Sequence, residues 1–408
     1  MPILRNIGVL ARCLPGLPQR NCSLIPRAAL AWEGEAIRWV GPESDLPEEL
    51  AGWPAEDAGG RLVVPGLVDC HTHLAFAGWR SEEFELRIRG KSYLEIAAMG
   101  GGIARTVAQT RAADTATLVA RCRGHLAMMA QLGVTTVEAK SGYGLSLEQE
   151  LRLLEIYREL NSGPQRIVPT LLAAHVVPAE YRERRTAYVD LVVEEIIPLA
   201  SGAGLARFCD VFVEESAFSI DESRLILAAG RRYGLRPKLH ADQLTSGGGA
   251  ELAAEMNAAS ADHLERISDP GIAAMAAAGV VAVSLPFASL YLNVAPMPAR
   301  RLLDAGAAVA VATDFNPGSA PSYHLPMAMM LACTLQRMTP AEVLNGATIV
   351  AARAIGLEEE VGSLEAGKSA DFAVIDAESV EQWLYHLRAN ACVRTVGRGQ
   401  TIWSASAA

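Results

Sequence analysis

The sequence predicts an α/β protein: a (β/α)8 TIM barrel with a small β-sandwich-like domain formed from both chain ends. Three observations lead to this prediction. From residue 61 onward, apolar β-branched runs alternate with helical stretches, which is typical of a parallel sheet. Eight such runs can be counted, and eight βα units can close into a barrel. Both ends of the chain instead carry short strand-like pieces broken by Gly and Pro.

The barrel strands are predicted, in chain order, at residues 61–71, 134–142, 166–175, 209–215, 236–243, 260–265, 280–287 and 308–316. The stretches between them are predicted helices, and several end at a Gly that suits a left-handed cap. The alternative fold is a doubly wound open sheet. It is disfavoured because the glycine triplets at 100–102 and 247–249 do not form a GxGxxG pattern after a first strand.

The two chain ends, residues 1–63 and 359–408, are predicted to pair into one composite β-domain, which leaves residues 64–358 for the barrel. Neither end alone has enough alternating strand to bury a face. The uncharged stretch 271–299 is long enough to span a bilayer. Three prolines interrupt it, so we interpret it as buried barrel core.

Composition limits the partners of the protein. The chain has 408 residues, half of them hydrophobic, and a formal charge of -10. A negative chain has no basic field to hold nucleic acid or an anionic membrane, so a small-molecule substrate is expected. The seven cysteines are far apart, odd in number and without a CxxC pair. This usage indicates a reducing compartment, and we expect a cytoplasmic protein.

Five of the eight histidines fall at or near the ends of predicted strands, together with one aspartate. These residues are His71, His73, His175, His240, His263 and Asp314. A HxH pair alone is as often a pair of surface histidines, but the carboxyl ends of barrel strands meet at one rim. Three imidazoles and a carboxylate fill most of a mononuclear metal site and leave one position for water. The pattern therefore predicts a metal-dependent attack of hydroxide on an electrophilic carbon.

This arrangement of HxH on strand 1, His on strands 5 and 6 and Asp on strand 8 resembles the amidohydrolase superfamily. Members with two metals usually carry a carboxylated Lys on strand 4, whereas CDVFVEESAF has none. The chain therefore resembles the one-metal branch. Its motifs HTHLAFAGWR, GKSYLEIAAMGGGI, LGVTTVEAKSGYGL, LHADQL, SADHLE, ATDFNPGS, GSLEAGKSADF and YHLRAN resemble the imidazolonepropionase family over essentially the whole chain.

The resemblance implies hydrolysis of the cyclic amide C–N bond of 4-imidazolone-5-propanoate by metal-activated hydroxide, giving N-formimidoyl-L-glutamate, the third step of histidine degradation. It also implies one divalent or trivalent metal ion per subunit, zinc or iron, and a homodimer. By position, the metal ligands would be His71, His73, His240 and Asp314. The catalytic residues would be His263, Asp314 and Gln243. The substrate contacts would be Arg80, Tyr93, Tyr143, His175, Gln243, Asn316, Gly318 and Ser319.

Some of these positions carry a physical reason of their own. The guanidinium fork of Arg80 suits the propionate carboxylate. Deaminase relatives have Glu where this chain has Gln243, and an amide cannot carry a proton. The proton transfers are therefore assigned to His263 and Asp314, and a deaminase becomes less favoured. Gly318 is either a turn glycine or part of a binding loop, and the sequence leaves both open.

Two further interpretations remain. The first keeps the barrel and the metal, with another carboxylate-bearing cyclic amide or amidine as substrate. The second is a non-catalytic scaffold protein related to the amidohydrolases. Such a chain is expected to have lost metal ligands, whereas all four are present here.

Overall fold

The computed structural model describes residues 1–91, 95–96 and 99–405. Within these residues the strands form two separate sheets of eight. In chain order the strands are β1 Ile3–Ala11, β2 Leu24–Glu33, β3 Ala36–Pro42, β4 Ala55–Asp57, β5 Leu62–Pro65, β6 Leu67–Asp69, β7 Val134–Lys140, β8 Arg166–Ala174, β9 Phe208–Val213, β10 Arg236–Ala241, β11 Ser260–His263, β12 Val281–Ser284, β13 Val309–Val311, β14 Phe372–Ile375, β15 Cys392–Gly397 and β16 Gln400–Ser404.

Strands β6 to β13 form the predicted barrel. Each pairs in parallel with the next along the chain. The ring is joined where the first and last strands end: Thr72 and Phe315 form a parallel bridge, and the backbone N–H of Asp314 donates to the carbonyl of His71 at 3.0 Å. The (β/α)8 prediction is confirmed.

The other sheet contains strands from both chain ends, as predicted. Its order is β16-β15-β14-β5-β1-β2-β3, with β4 paired to β1, so it is a single mixed sheet. The antiparallel pair β5 and β14, in which Val63 faces Val374, joins the two ends of the chain. One hydrophobic cluster of this sheet includes Leu4, Leu30 and Phe372. The division at residues 63/64 and 358/359 stays a prediction.

The apolar run predicted as one strand over residues 61–71 is two strands in different sheets. Strand β5 ends at Pro65 in the small sheet, and β6 begins at Leu67 in the barrel. Gly66 lies between them, where an added Cβ would stand 2.3 Å from the Thr135 hydroxyl oxygen. Because both strands are buried on both faces, their residues are equally apolar, and the hydrophobic pattern does not reveal the break.

The helices are Ser81–Ile88, Ile103–Ala112, Thr115–Gln131, Leu147–Leu160, Arg185–Leu191, Ile197–Gly202, Ile220–Arg232, Gly249–Glu255, Asp269–Ala278, Pro286–Leu292, Ala299–Asp304, Leu325–Gln336, Pro340–Gly346, Ile349–Ala354 and Val380–Tyr385. Several begin at a side chain that accepts a hydrogen bond from the first turn, as Asp114 and Ser219 do. The uncharged stretch 271–299 is divided among β12, two of these helices and a loop, and it ends at the first residue of helix Ala299–Asp304. Among the described residues, no helix is both long and apolar enough to cross a membrane.

Candidate active site

The predicted site residues come together at the carboxyl ends of the barrel strands. Most of them stand just beyond the last strand residue, because the strands are shorter than predicted: β8 ends one residue before His175, and β13 ends three residues before Asp314. The pocket at this rim is lined by residues that include His73, Arg80, Tyr143, His175, His240, Gln243, His263, Asp314, Asn316 and Ser319. Tyr93, predicted as a substrate contact, lies outside the described residues.

The four predicted metal ligands are buried side by side. His71 Nε2 lies 3.4 Å from an oxygen of Asp314, and His73 Nε2 lies 3.5 Å from the same oxygen. The Nε2 atoms of His240 and His73 are 3.5 Å apart. Each of the four side chains is at most 3% exposed. Nitrogen and oxygen donors that converge at this spacing form a set of the kind that binds zinc or iron.

Two of these imidazoles are oriented by carboxylates on their far side. His71 Nδ1 donates to Asp262 at 2.6 Å, and His240 Nδ1 donates to Asp210 at 3.1 Å. With the proton on Nδ1, each ring has its Nε2 lone pair free to bind a metal ion. His71 Nε2 is buried and has no hydrogen-bond partner among the described residues. This unpartnered buried nitrogen fits a metal ion as its ligand.

The electrostatics of the site favour an ionised Asp314 among mostly neutral imidazoles. Burial would raise the pKa of Asp314, but its contacts with His71 and His73 outweigh burial and hold the pKa well below its usual value. Burial lowers the pKa of His73, and it lowers the pKa of His240 strongly, with a further contribution from the neighbouring His71. Burial and the nearby Lys140 also lower the pKa of His71. The contacts of His71 with Asp262 and Asp314 outweigh both effects and raise its pKa to about 9. A metal ion that bound His71 would therefore have to displace a proton.

A network of buried charges lies beneath the imidazoles. Lys140 Nζ contacts Asp210 at 2.7 Å, Glu138 at 3.0 Å and Asp262 at 3.3 Å. Lys238 Nζ contacts the same oxygen of Glu138 at 3.1 Å. All five side chains are fully buried. Lys140 and Glu138 form their ion pair from alternate positions of β7, whose side chains share one face.

Arg80 lies at the rim of the pocket and is only 4% exposed. Its Nε and Nη1 atoms are buried without a hydrogen-bond partner among the described residues, and the nearest carboxylate oxygen, of Glu83, is 3.6 Å from Nε. An added Cβ at Gly318 would stand 1.1 Å from Arg80 Nη2. Gly318 is therefore the residue that gives the guanidinium its space, a role that neither sequence interpretation of this glycine included.

The loop that follows β13 is held by the side chain of Asn316. Its oxygen accepts from the backbone N–H groups of Gly318 and Ser319, each at 2.8 Å, and its amide donates to the carbonyl of Asp314 at 2.7 Å. Asp314 and His263 both have positive φ angles, of 55° and 80°. Backbone conformations of this kind are concentrated at functional sites, where the surrounding hydrogen bonds maintain them.

His175 and Tyr143 form one wall of the pocket. The ring of His175 stacks on His73 at a centroid distance of 5.2 Å, and the ring of Tyr143 lies 5.5 Å from that of His175. Burial and the neighbouring His73 lower the pKa of His175 to about 3. The ring is thus neutral at pH 7, and its Nδ1, 3.0 Å from the carbonyl of Gly142, carries the proton. Its Nε2 is then a hydrogen-bond acceptor.

Gln243 stands on a loop that two carboxylates hold. Glu214 accepts from the backbone N–H groups of Leu244 and Thr245 at 2.7 and 3.0 Å. Asp242 accepts from three backbone N–H groups at residues 247, 249 and 250. These hydrogen bonds hold the backbone on both sides of Gln243. The Gln243 side chain therefore lines the pocket from a fixed backbone position.

Several supporting residues were missed in the sequence interpretation: Asp210, Glu214, Lys238, Asp262 and Glu265. Glu265 is the nearest acid to His263, with 3.7 Å between its oxygen and Nδ1 of the imidazole. A usable signal was present in the strands, since FCDVFV, RPKLHA and SADH each place a charged residue inside an otherwise buried run. A buried charge requires an oppositely charged or hydrogen-bonding partner, so each of these residues predicts a second buried polar residue beside it.

Comparison with known proteins is consistent with this site. Residues 62–402 match the model of the amidohydrolase family. An imidazolonepropionase of Symbiobacterium thermophilum is 48% identical over 393 residues, covering 95% of this chain and 92% of that protein. One of Myxococcus xanthus is 50% identical over 366 residues, covering 89% and 87%.

Solved structures give the same fold at lower identity. A triazine hydrolase variant has a TM-score of 0.77 at 17% identity, covering 98% of this chain and 94% of that one. E. coli guanine deaminase has a TM-score of 0.75 at 14% identity and covers all of both chains. The chain belongs to the amidohydrolase family. Within that family its relatives at 44 to 50% identity are imidazolonepropionases.

Proposed function

We propose that this protein is an imidazolonepropionase, which hydrolyses the cyclic amide of 4-imidazolone-5-propanoate to N-formimidoyl-L-glutamate. The observation that carries the proposal is Arg80. The buried guanidinium lies 3.6 Å from Glu83, but two of its nitrogen atoms have no hydrogen-bond partner among the described residues. At the rim of a pocket that also contains candidate metal ligands, these donors are available to an anionic group. A cyclic amide that bears a carboxylate side chain supplies it, and a bare nucleobase does not.

The proposed metal ligands are His71, His73, His240 and Asp314, holding one divalent or trivalent ion per subunit, zinc or iron. Their convergence and the unpartnered Nε2 of His71 support this assignment. When bound, such an ion supplies Lewis-acid chemistry: it lowers the pKa of water and polarises a carbonyl group. The chain's own residues supply the positioning and the proton transfers.

The reaction adds the oxygen of water to the ring carbonyl carbon, breaks the C–N bond and places a proton on the departing nitrogen. We assign acceptance of the water's proton to Asp314 and His263, and its return to the ring nitrogen to one of them. An ionised Asp314 supports this assignment, because a carboxylate can accept a proton and a protonated carboxyl group cannot. Gln243 would hydrogen-bond the ring and carry no proton.

The substrate would lie with its propionate on Arg80 and its ring against Tyr143 and His175. The neutral His175 offers Nε2 as an acceptor for a ring N–H, which supports its placement at the ring. The backbone of the loop at Asn316, Gly318 and Ser319 would form the floor near the carboxylate. Tyr93 remains a proposed contact on the resemblance alone.

The proposal extends to the state of the protein in the cell. A cytoplasmic location is supported by the seven cysteines, all of them free thiols and six of them buried. We also propose a homodimer, on the resemblance to the imidazolonepropionase family. Size-exclusion chromatography with light scattering tests that assembly directly.

The proposed activity is tested by following the ring chromophore of freshly generated 4-imidazolone-5-propanoate after addition of the purified protein. A chelator-treated, metal-free sample serves as the control, and the product is identified as N-formimidoyl-L-glutamate by mass spectrometry. We expect rapid loss of the chromophore with the metal-loaded protein alone. Decay at the spontaneous rate in both samples would reject the proposed activity.

A second candidate is hydrolysis of another cyclic amide or amidine that bears a carboxylate. Arg80 favours it over a nucleobase substrate, and Gln243 disfavours deamination. The same assay separates the candidates when 4-imidazolone-5-propanoate is compared with a set of cyclic amides that carry a carboxylate. The proposed function requires the highest kcat/KM for 4-imidazolone-5-propanoate.

A further inference from the structure

The buried charges beneath the imidazoles contain a second group of potential metal ligands. His71, Glu138 and Asp262 each offer a ligand atom, and these atoms lie within 4.8 Å of one another. This second group shares His71 with the proposed metal centre. A chain that offers a further group of ligands beside its proposed metal centre needs a physical reason to bind one ion.

The ammonium group of Lys140 lies within this second group. It contacts a carboxylate oxygen from each of three alternate strands of the barrel: Glu138 on β7, Asp210 on β9 and Asp262 on β11. The ammonium donates hydrogen bonds to Asp210 at 2.7 Å and Glu138 at 3.0 Å, and it forms an ion pair with Asp262 at 3.3 Å. The positive charge therefore occupies the place that a bound cation among these carboxylates would take.

The charge balance of the network also favours a cation at this position. The network holds three carboxylates and two ammonium groups, those of Lys140 and Lys238. Without Lys140, and with His71 neutral as a metal ligand must be, the carboxylates would exceed the remaining ammonium by two charges, which is the charge of one divalent cation. Burial of uncompensated carboxylates is strongly unfavourable, so this space needs a cation of some kind.

We propose that Lys140 is a built-in cation that occupies a second cation position beside His71 and so limits the centre to one metal ion. The proposal rests on the proposed function, in which a single ion is bound by the neighbouring histidines. Lys140 is a positioning residue in this account. It determines the number of ions bound and holds Asp262 and Asp210, which orient His71 and His240.

Lys238 provides a matched control. Its side chain is as deeply buried as that of Lys140 and shares the same oxygen of Glu138. Among the described residues it makes no ion pair with Asp210 or Asp262. Removing Lys238 therefore removes one positive charge from the same network but leaves the ammonium of Lys140 between the carboxylates.

The test counts zinc ions. Wild-type protein, Lys140→Ala and Lys238→Ala are stripped with a chelator, equilibrated with excess Zn²⁺, desalted and analysed for zinc per chain by atomic emission. We expect Lys140→Ala to hold one equivalent more than wild type, and Lys238→Ala to hold the same number as wild type. The alanine at position 140 removes the charge and opens the space for an ion.

Equal zinc counts in Lys140→Ala and wild type would overturn the proposal, and so would an equal gain in both variants. If Lys140→Ala does not fold without metal, Zn²⁺ should restore its thermal transition. Failure to fold with or without Zn²⁺ also contradicts the proposal, because the divalent ion is expected to replace the ammonium. The wild-type count is a separate result: a wild type without bound zinc rejects the proposed metal centre.

Discussion

Arg80 is the side chain on which substrate selection is expected to depend. It is buried, its nearest carboxylate is beyond hydrogen-bond distance, and two of its donors lack partners among the described residues. A lysine keeps the charge but loses the fork that matches a carboxylate. We expect Arg80→Lys to lower kcat/KM about 100-fold, or about 2.8 kcal/mol, mainly through KM.

Steady-state kinetics on 4-imidazolone-5-propanoate measure this effect. Arg89→Lys is the control, since Arg89 is exposed and pairs with Glu85 at the end of helix Ser81–Ile88. Its kinetics should match those of wild type. An unchanged KM in Arg80→Lys would show that the guanidinium does not bind the substrate.

Gly318 is expected to act through Arg80. A methyl group there would stand 1.1 Å from the guanidinium, so Gly318→Ala should displace Arg80 and lower kcat/KM by roughly 10-fold or more, while the bound metal stays unchanged. The matched variant is Gly124→Ala in helix Thr115–Gln131, where an added Cβ meets no atom within 4 Å. That variant should keep full activity and gain about 0.5–1 kcal/mol of stability. Equal kinetics in the two variants would contradict the role given to Gly318.

The helix Ile220–Arg232 illustrates how a short sequence motif sets a helix start and a pH dependence together. Ser219 and Glu222 form a capping box, and Glu222 also pairs with Arg185. The hydrogen bond from Arg185 and those from Ser219 outweigh burial and lower the pKa of Glu222 to about 2. A carboxyl group with a lowered pKa stabilises the fold above its unfolded pKa and loses that contribution as pH falls toward the folded value.

We therefore expect Glu222→Gln to destabilise the protein at pH 7 by about 1 kcal/mol. The difference from wild type should shrink as pH falls below about 4.5. Urea denaturation at pH 7 and pH 4 measures both values. A difference that stays constant over this range would show that the charge of Glu222 is not what stabilises the helix start.

Gly66 is the residue at which the chain passes from β5 in the small sheet to β6 in the barrel. Its Cβ position lies against the buried Thr135, so Gly66→Ala is expected to destabilise the fold by about 1–3 kcal/mol through overpacking. Gly52→Ala, with no atom near its Cβ position, should change stability far less. Urea denaturation of both variants compares them. Equal midpoints would mean that the junction tolerates a side chain.

For the whole molecule, the proposed metal ion is expected to link activity to stability. Without the ion, the buried nitrogen and oxygen ligand atoms at the barrel rim lie close together with no metal bound between them. Removal of the metal should abolish activity and lower Tm by about 5 °C or more, because an ion at 1,000 times its Kd stabilises the fold by about 4 kcal/mol. Added Zn²⁺ should restore both, and Mg²⁺ at the same concentration should not, because it prefers oxygen ligands. Calorimetry in parallel with the assay measures both effects. A Tm that chelation leaves unchanged would contradict the predicted link between metal binding and stability.

Much of the fold was accessible from the residues alone. The eight barrel strands, the composite sheet and the clustering of histidines at one rim follow from β-branched runs, turn residues and the rule that parallel strands end on one side. The predicted strands ran past their true ends, because an apolar run continues into buried loop residues such as Cys70 and Phe315. The break at Gly66 was missed for the same reason.

The local pattern of apolar and polar residues was enough to specify the barrel, its order of strands and the rim where the histidines gather, because these depend on periodicity and chain direction. The partners of each polar group depend on distances between strands far apart in the sequence. Only the folded chain brings Lys140 between Glu138, Asp210 and Asp262, and only there does Gly318 meet Arg80. Contacts across a closed barrel join positions as far apart as Asp69 and Thr313, which are 244 residues apart, and no local pattern encodes which side chain a buried charge will face.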